Sequence, residues 1–425
     1  MPEIITDLHL HSKYSRAVSQ DMDLAHIAEW AVKKGIAVVG TSDFTHPEWY
    51  QELVKRLERQ KNGLYRLKGS DNPTFFIPVT ELSCIYSQGG RGHRIHIVII
   101  APDLETVDKI RGGLGWQGNL KSDGRPILGL SAIELTKVIF NASPECLVIP
   151  AHIWTPWFSL FGSESGFDSL TECFGEFADR IPAIETGLSS DPPMNWRLSQ
   201  LDSKQIVSFS DAHSAANLGR EATVFELEEL SFKNIAQALK SPGEKNRIAY
   251  TIEFYPEEGK YHWDGHRNCG IRFSPSETKQ HNSLCPKCGR RLTVGVMSRV
   301  EKLADRPEGF KPTTPSSDGA GRPPFKSLVP LAEIIGDALG VGKGSKSVMA
   351  EYDRLVQAGK SEFNILLNVE PSKLQAMTQP RIVEAIQRVR EGKLHIAPGY
   401  DGEFGTVKIF NEQEQKAPTG QNSLF

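Results

Sequence analysis

From the N-terminus to about residue 230 the chain repeats one unit: a short apolar or β-branched run, a polar residue at its end, then a helical or loop stretch. The runs are Glu3–Leu8, Ile36–Thr41, Phe75–Val79, Ile95–Ile100, Cys146–Pro150, Ala183–Glu185 and Gln205–Ser210. Helical patterns at Asp23–Lys34, Glu48–Gln60, Ser131–Phe140 and Asn195–Leu201 lie between many of them. A strand that returns through a helix pairs parallel with its predecessor, so this alternation predicts a parallel α/β sheet with helices outside. About seven such strands predict a closed or nearly closed barrel.

At Ile248 the alternation stops, and 425 residues are too many for one ordinary domain. We expect a barrel over 1–235, a compact Cys/His-bearing module over 236–310, a helical region over 311–400 and a flexible tail over 401–425. Residues 308–324 are rich in Pro, Gly, Ser and Thr, as a linker is. Helices are expected over Ser327–Leu339, Ser345–Ala358 and Lys373–Gly392. The Gly340-Val341-Gly342 turn between the first two, beside Lys343 and Lys346, reads as a plain helix turn with a weak hint of phosphate contact. No apolar run is long enough to cross a bilayer, and the strand-like start leaves no room for a signal peptide, so a cytoplasmic protein is expected. Cys84, Cys146 and Cys173 stand singly, as buried thiols do, and Cys269, Cys285 and Cys288 cluster, as metal ligands do. The net charge of −3 conceals a basic stretch from Lys240 to Lys346, where 18 Lys and Arg face 12 Asp and Glu, a surplus of six. Such a surplus suits a phosphate backbone and suits a solvated surface equally.

The polar residues that end the runs carry the chemistry. The first run leads into Asp7-Leu8-His9-Leu10-His11-Ser12, and strand alternation sets Asp7, His9 and His11 on one side. The second ends in Thr41-Ser42-Asp43 with His46 close behind, the third in Thr80-Glu81, and the fourth contains His96. The fifth ends in Ala151-His152 and the seventh in Ser210-Asp211-Ala212-His213. In α/β barrels the C-terminal strand ends share one mouth, so His9, His11, Glu81, His96, His152, Asp211 and His213 would meet there. A lone strand-end His is commonly a core residue. A set of this size at successive strand ends points to a Zn, Mn, Mg or Fe centre in which Glu81 can bridge two ions. Two cations about 3.5–4 Å apart activate water and stabilise displacement at phosphorus, which favours phosphoester hydrolysis.

These motifs, in order, resemble those of the polymerase-and-histidinol-phosphatase (PHP) family of metal phosphoesterases. The resemblance covers roughly the first 230 residues and implies a distorted seven-stranded β/α barrel holding two or three metals. It implies one metal on His9, His11, Glu81 and Asp211, and a second on Glu81, His96 and His152. The family's third site also needs a His soon after the first motif and one directly after the second-motif Asp. Here Phe44 follows Asp43 and no His lies between His11 and His26. His46 with His213 is the remaining candidate for a third site. His9, His11, Glu81, Asp211 and His213 are the expected catalytic set, with His213 managing protons. Asp7, Asp43 and Asp191 are expected to orient the His ligands; for Asp43 and Asp191 a helix or turn cap is the competing reading.

A second constellation lies downstream. His266-x2-Cys269 and Cys285-x2-Cys288 are two knuckle-like pairs, the pattern of a closed tetrahedral structural zinc. His281 or His262 could take the place of His266. Lys and Arg around the pairs suit a grip on nucleic acid, and a plain fold stabiliser is the other reading.

The order of barrel, Tyr261–Cys269, Cys285-Pro286-Lys287-Cys288-Gly289, Arg322-Pro323-Pro324-Phe325 and helices is similar to the endonuclease Q family over nearly the whole chain. That resemblance implies a DNA-repair enzyme that nicks on the 5′ side of deaminated bases (hypoxanthine, uracil, xanthine) and abasic sites, with the base flipped out of the stack. Trp154, Trp157 and Phe158, just after His152, are candidates for a base pocket, against ordinary loop packing. The Gly-rich stretch 112–129 with Trp116 reads as a mobile lid or a plain surface loop. Gln421, Leu424 and Phe425 resemble a short peptide that docks on the DNA sliding clamp, so damaged DNA and a clamp are the expected partners at the nucleoid. A histidinol-phosphatase-like enzyme is the alternative, and a small substrate would need neither zinc module nor basic stretch. A non-catalytic DNA-binding scaffold is the third reading, against which the ligand set counts.

Overall fold

The computed structural model describes residues 2–312 and 322–416. Strand β1 (Glu3–Asp7) sits mid-sheet, parallel to β2 (Val38–Gly40), which is parallel to β3 (Phe75–Ile77). Past Pro78 the chain enters β4 (Val79–Gln88) and turns back as β5 (Arg91–Ile100), which borders β6 (Leu147–Pro150). Next come β7 (Ala183–Glu185) and its parallel neighbour β8 (Gln205–Val207). These pieces are separate sheets joined by single bonds: Ala101 N to the Pro78 carbonyl (2.9 Å), Ile153 N to that of Glu185 (3.1 Å) and His11 N to that of Ala212 (3.0 Å). The strands thereby follow one another around a distorted α/β barrel.

Its interior is apolar at one end. Leu8, Val38, Ile77, Val98, Ile149, Ala183 and Val207 form one buried cluster, closed by Ile235 and Leu239 of the helix Phe232–Lys240. Their sequence neighbours Val39, Ile97, Ile99, Val148, Ile184 and Ile206 face outward against the helices. Strands buried on both faces explain why the runs are nearly continuously hydrophobic. Helix Leu24–Lys34 begins at Asp23, which caps Ala25 and His26, and ends at Gly35 with φ 88°, as its sequence predicts.

The structure differs from the sequence expectations in several places. The sheet is not all parallel: β4–β5 is a long antiparallel hairpin, and β6 is antiparallel to β5. The helix expected over Glu48–Gln60 runs Pro47–Arg56, because Leu57–Arg59 pairs with Tyr65–Leu67. The segment Asn195–Leu201 splits into Pro192–Trp196 and a short 3-10 turn. The sheet continues past residue 235: β9 (Ala222–Glu226) pairs with β1 and with β10 (Arg247–Glu253), which pairs with β11 (Phe325–Ser327). Five helices between Leu331 and Arg390 form the expected helical region. Of the tail expected over 401–425, the described residues from 401 to 410 are built into the fold, since Thr406–Lys408 pairs with His395–Ala397 and Phe410 is buried. No helix among the described residues is long and apolar enough to cross a membrane.

Candidate metal centre

Opposite the apolar plug, strand ends and the β4–β5 hairpin bring seven polar side chains together. His9 and His11 leave β1, Glu81 comes from β4 and His96 from the interior of β5. His152 follows β6, and Asp211 and His213 follow β8. Asp43, His152 and Asp211 have φ of 35°, 30° and 47°, a left-handed conformation that costs non-glycine residues about 1–3 kcal/mol. At each the chain turns off its strand, and that turn places the side chain at the centre. Gly187, itself at φ 60°, lies so close to His152 that a Cβ there would collide with the ligand.

The ligand-type atoms fall into two groups. His9, His11, Glu81 and Asp211 each offer one atom within 4.8 Å of the others, and so do Glu81, His96 and His152. Glu81 divides its oxygens between them. Oε1 faces His96 Nδ1 (2.7 Å) and His152 Nε2 (3.1 Å); Oε2 faces His11 Nε2 (3.2 Å) and His9 Nε2 (3.5 Å). Asp211 Oδ1 is 3.1 Å from His11 Nε2. His9 Nε2, His11 Nε2 and Asp211 Oδ1 are buried and have no hydrogen-bond partner. Unsatisfied buried polar atoms are costly, and three converging on one point fit a divalent cation.

Carboxylates behind the imidazoles fix their tautomers. His9 Nδ1 donates to Glu185 (2.9 and 3.0 Å), and His11 Nδ1 to Asp43 Oδ1 (3.2 Å), leaving each Nε2 free to bind. Glu185 Oε2 also accepts the His152 backbone N–H (2.8 Å). Burial works against charge on His9 and His11, yet Glu185 and Glu81 around the first and Asp211, Asp43 and Glu81 around the second hold both imidazoles well above their ordinary value. Burial alone would raise Glu81; Arg125, His96 and His9 hold it well below. Burial pushes His96 down to about 4, against the pull of Glu81.

Not every expected residue takes its expected place. Asp43 orients His11, but Asp7 accepts the backbone N–H groups of Ser210 (3.0 Å) and Gly219 (2.9 Å) and touches no imidazole. It thereby braces the segment that carries Asp211. Asp191 caps the helix Pro192–Trp196 through the Met194 N–H and reaches no ligand. His46 sits before Pro47 at a helix start with its ring 4.4 Å from Tyr14, outside both groups. His213 donates from Nδ1 to the Asp211 carbonyl (2.9 Å), with its ring 4.7 Å from His11. Among the described residues no third group forms around His46 and His213. Two residues of the centre escape the sequence reading. Glu185 ends a recognised strand run, and that position was the available signal. Arg125, whose Nη1 is 2.8 Å from Glu81 Oε2, comes from a loop and gave none.

In solved structures, the lesion-specific endonuclease PfuEndoQ of Pyrococcus furiosus matches at TM-score 0.83 and 32% identity, over 98% of both chains. The chain belongs to the endonuclease Q family. An endonuclease Q complex with a 27-mer duplex bearing an abasic lesion at its active site matches at TM-score 0.83 and 33% identity, again over 98% of both chains. Uncharacterised protein YqxK of Bacillus subtilis is 30% identical over 96% of this chain and 100% of its own length. Uncharacterised protein MJ0043 of Methanocaldococcus jannaschii is 34% identical over 60% of this chain, which spans 31% of that longer protein. A family model described as the MJ0043 C-terminal domain matches residues 330–393.

In this endonuclease Q family member the downstream Cys/His pairs also converge. His266, Cys269, Cys285 and Cys288 offer ligand atoms within 4.8 Å of one another. His281 instead stacks on Phe273, and His262 is buried outside the group. Cys285 and Cys288 form a knuckle in which Gly289 N donates to the Cys285 carbonyl (2.8 Å) with Gly289 at φ 72°. Burial would raise the Cys285 thiol, but the backbone N–H groups of Lys287 and Cys288 outweigh it and bring it down to about 6. A thiol that ionises readily suits a metal ligand.

The aromatic loop after His152 divides. Trp154 is fully buried, with Nε1 donating to Asn195 Oδ1 (2.8 Å) and its ring against Phe161, so it is core and not base pocket. Trp157 is exposed and meets Tyr261 edge-on at 5.5 Å; Phe158, half-buried, lies 4.7 Å from His96. Gln421, Leu424 and Phe425 lie outside the described residues.

Proposed function

We propose that this protein is a metal-dependent DNA-repair endonuclease that hydrolyses the phosphodiester on the 5′ side of abasic sites and of deaminated bases (uracil, hypoxanthine and xanthine). One observation carries the reading: Glu81 stands between two sets of ligand atoms, with His9 Nε2, His11 Nε2 and Asp211 Oδ1 unsatisfied, in a chain that matches a lesion-specific endonuclease end to end. His9, His11, Glu81 and Asp211 would hold one cation, and Glu81, His96 and His152 another. Bound there, such ions activate water and stabilise the charge that develops at phosphorus.

The protein's own groups do the rest. Glu185 and Asp43 keep His9 and His11 aimed inward. His213 is a third exposed and, with Nδ1 engaged, offers Nε2 to hold or pass a proton at the mouth. Trp157, which is exposed, and Phe158, 4.7 Å from His96, would stack on an extruded base. The His266, Cys269, Cys285 and Cys288 group would hold a structural zinc, since four protein ligands leave no open position. DNA as substrate locates the protein at the nucleoid in the cytoplasm, and docking on a sliding clamp through Gln421, Leu424 and Phe425 rests on the terminal sequence.

The test is a nicking assay on duplexes carrying an abasic site, uracil or hypoxanthine, with and without Mn, Mg or Zn. A nick 5′ of the lesion that requires metal and disappears in His9→Ala and Asp211→Asn is expected. A nick that survives either substitution would remove the barrel centre from the chemistry.

A further inference from the structure

The loop between the helices Leu104–Leu114 and Ala132–Ala142 brings to the centre a positive charge that the two ligand groups do not use. This loop is pinned rather than hanging. Ile127–Leu128 pairs with Ser83–Cys84 of the strand that bears Glu81. Gly124 N donates to the Tyr14 carbonyl (3.0 Å), and a Cβ at Gly124 would collide with Asp43 and Ser15. Asp123 Oδ1 accepts the Arg125 N–H (3.1 Å). The result is that Arg125 Nη1 reaches Glu81 Oε2 at 2.8 Å, the oxygen that also faces His9 and His11.

Exposure separates the groups at this site. The side chains of His9, His11 and Glu81 are at most 1% accessible. Arg125 is 28%, His213 33% and Asp211 24% accessible, so these three form the surface that an incoming molecule meets. A guanidinium and a divalent cation sharing one carboxylate oxygen repel each other unless an anion lies between them. A planar guanidinium also matches the oxygens of a phosphodiester in a two-point contact.

We propose that Arg125 is the binding site for the scissile phosphate, its guanidinium turning from Glu81 to a non-bridging phosphate oxygen when substrate enters. The assignment rests on the endonuclease reading above and adds the residue that holds the reacting group.

The test uses the metal-loaded full chain and two abasic duplexes, one natural and one with a neutral methylphosphonate in place of the phosphate 5′ of the lesion. Affinity is read by fluorescence anisotropy and metal content by elemental analysis. Arg125→Gln should weaken binding of the natural duplex by about tenfold, the scale of one charge-assisted hydrogen bond. It should leave methylphosphonate binding unchanged and keep or increase the bound metal, since Glu81 loses a competitor. Arg125→Lys should recover part of the loss. Equal weakening on both duplexes, or loss of metal in Arg125→Gln, would overturn the assignment and make Arg125 a general contact or a prop for Glu81. If the parent protein binds neither duplex, the endonuclease reading fails separately. Inorganic phosphate then decides: weaker phosphate binding in Arg125→Gln sustains the site, and unchanged binding removes it.

Discussion

Glu81 has two oxygens, each facing a different set of imidazoles, and the residues behind those imidazoles determine whether they can bind. Glu185 accepts both His9 Nδ1–H and the His152 backbone N–H, so one carboxylate braces ligands from both groups. Glu185→Gln keeps the shape and loses the charge, and outer partners of this kind contribute about 10–100-fold to metal affinity. A loss on that scale in competitive titration with a chelator dye is expected, with folding unchanged by circular dichroism. A second residue-scale prediction concerns Glu253. It is buried beside Asp191, with Ser208 and Thr251 donating to it, and burial above all pushes its carboxyl from 4.5 up to about 8. Such an acid favours the folded state while protonated. Its contribution is complete below pH 4.5 and is lost as pH rises towards 8. Glu253→Gln should therefore gain thermal stability over the parent as pH goes from 5 to 8.5; a difference independent of pH would contradict the burial argument. Much of the site is legible in sequence because ligand-type residues recur where apolar runs give out: His9, His11, Glu81, His152 and Asp211 show it directly. Glu185 obeys the same rule but has no His beside it to mark it as part of a centre. Arg125 comes from a loop whose path depends on tertiary contacts. Asp191 and Trp154 follow their competing readings, a helix cap and packing, since a cap and a core aromatic look in sequence like an acid behind a ligand and a base platform.

At the scale of elements, contacts between distant segments hold the centre in place. Arg299, on the helix Val296–Leu303 that follows the Cys/His module, donates to the Phe161 and Phe167 carbonyls (both 2.8 Å) and to Asp168 (2.6 Å), clasping the loop that begins at His152. On the far side, Lys34 of the helix Leu24–Lys34 pairs with Glu362 at 2.8 Å, both side chains about 4% accessible. Glu362 also accepts from Leu331 N and the Tyr352 hydroxyl, which joins the C-terminal helices to the barrel. Removing one partner of a buried pair strands the other charge, so Glu362→Ala should cost about 3–5 kcal/mol in denaturant unfolding. The double variant Lys34→Met/Glu362→Leu should recover most of it; if it recovers nothing, the pair is not the joint. Helix and strand types were predictable from periodicity, but strand direction was not. Of the antiparallel β4–β5 hairpin the sequence reading takes only Val79, as the end of one run, and Ile95–Ile100, because the polar arms on either side of Gly89-Gly90 look in sequence like a loop.

For the whole molecule, the barrel, the Cys/His module and the helical region share contacts that the expected boundaries cut across, and β10 and β11 carry the barrel sheet past residue 235. Among the described residues three ligand groups are distributed over this body, two joined through Glu81 and one apart in the module. The most direct test of the account is elemental analysis of the purified protein and of Glu81→Ala after dialysis against trace metal. The parent should hold an ion in each group. Glu81→Ala should lose both barrel ions together, keep the ion of the Cys/His group and lose the nick. Loss of one barrel ion with the other retained at full affinity, or retention of both, would contradict a centre built on one shared carboxylate.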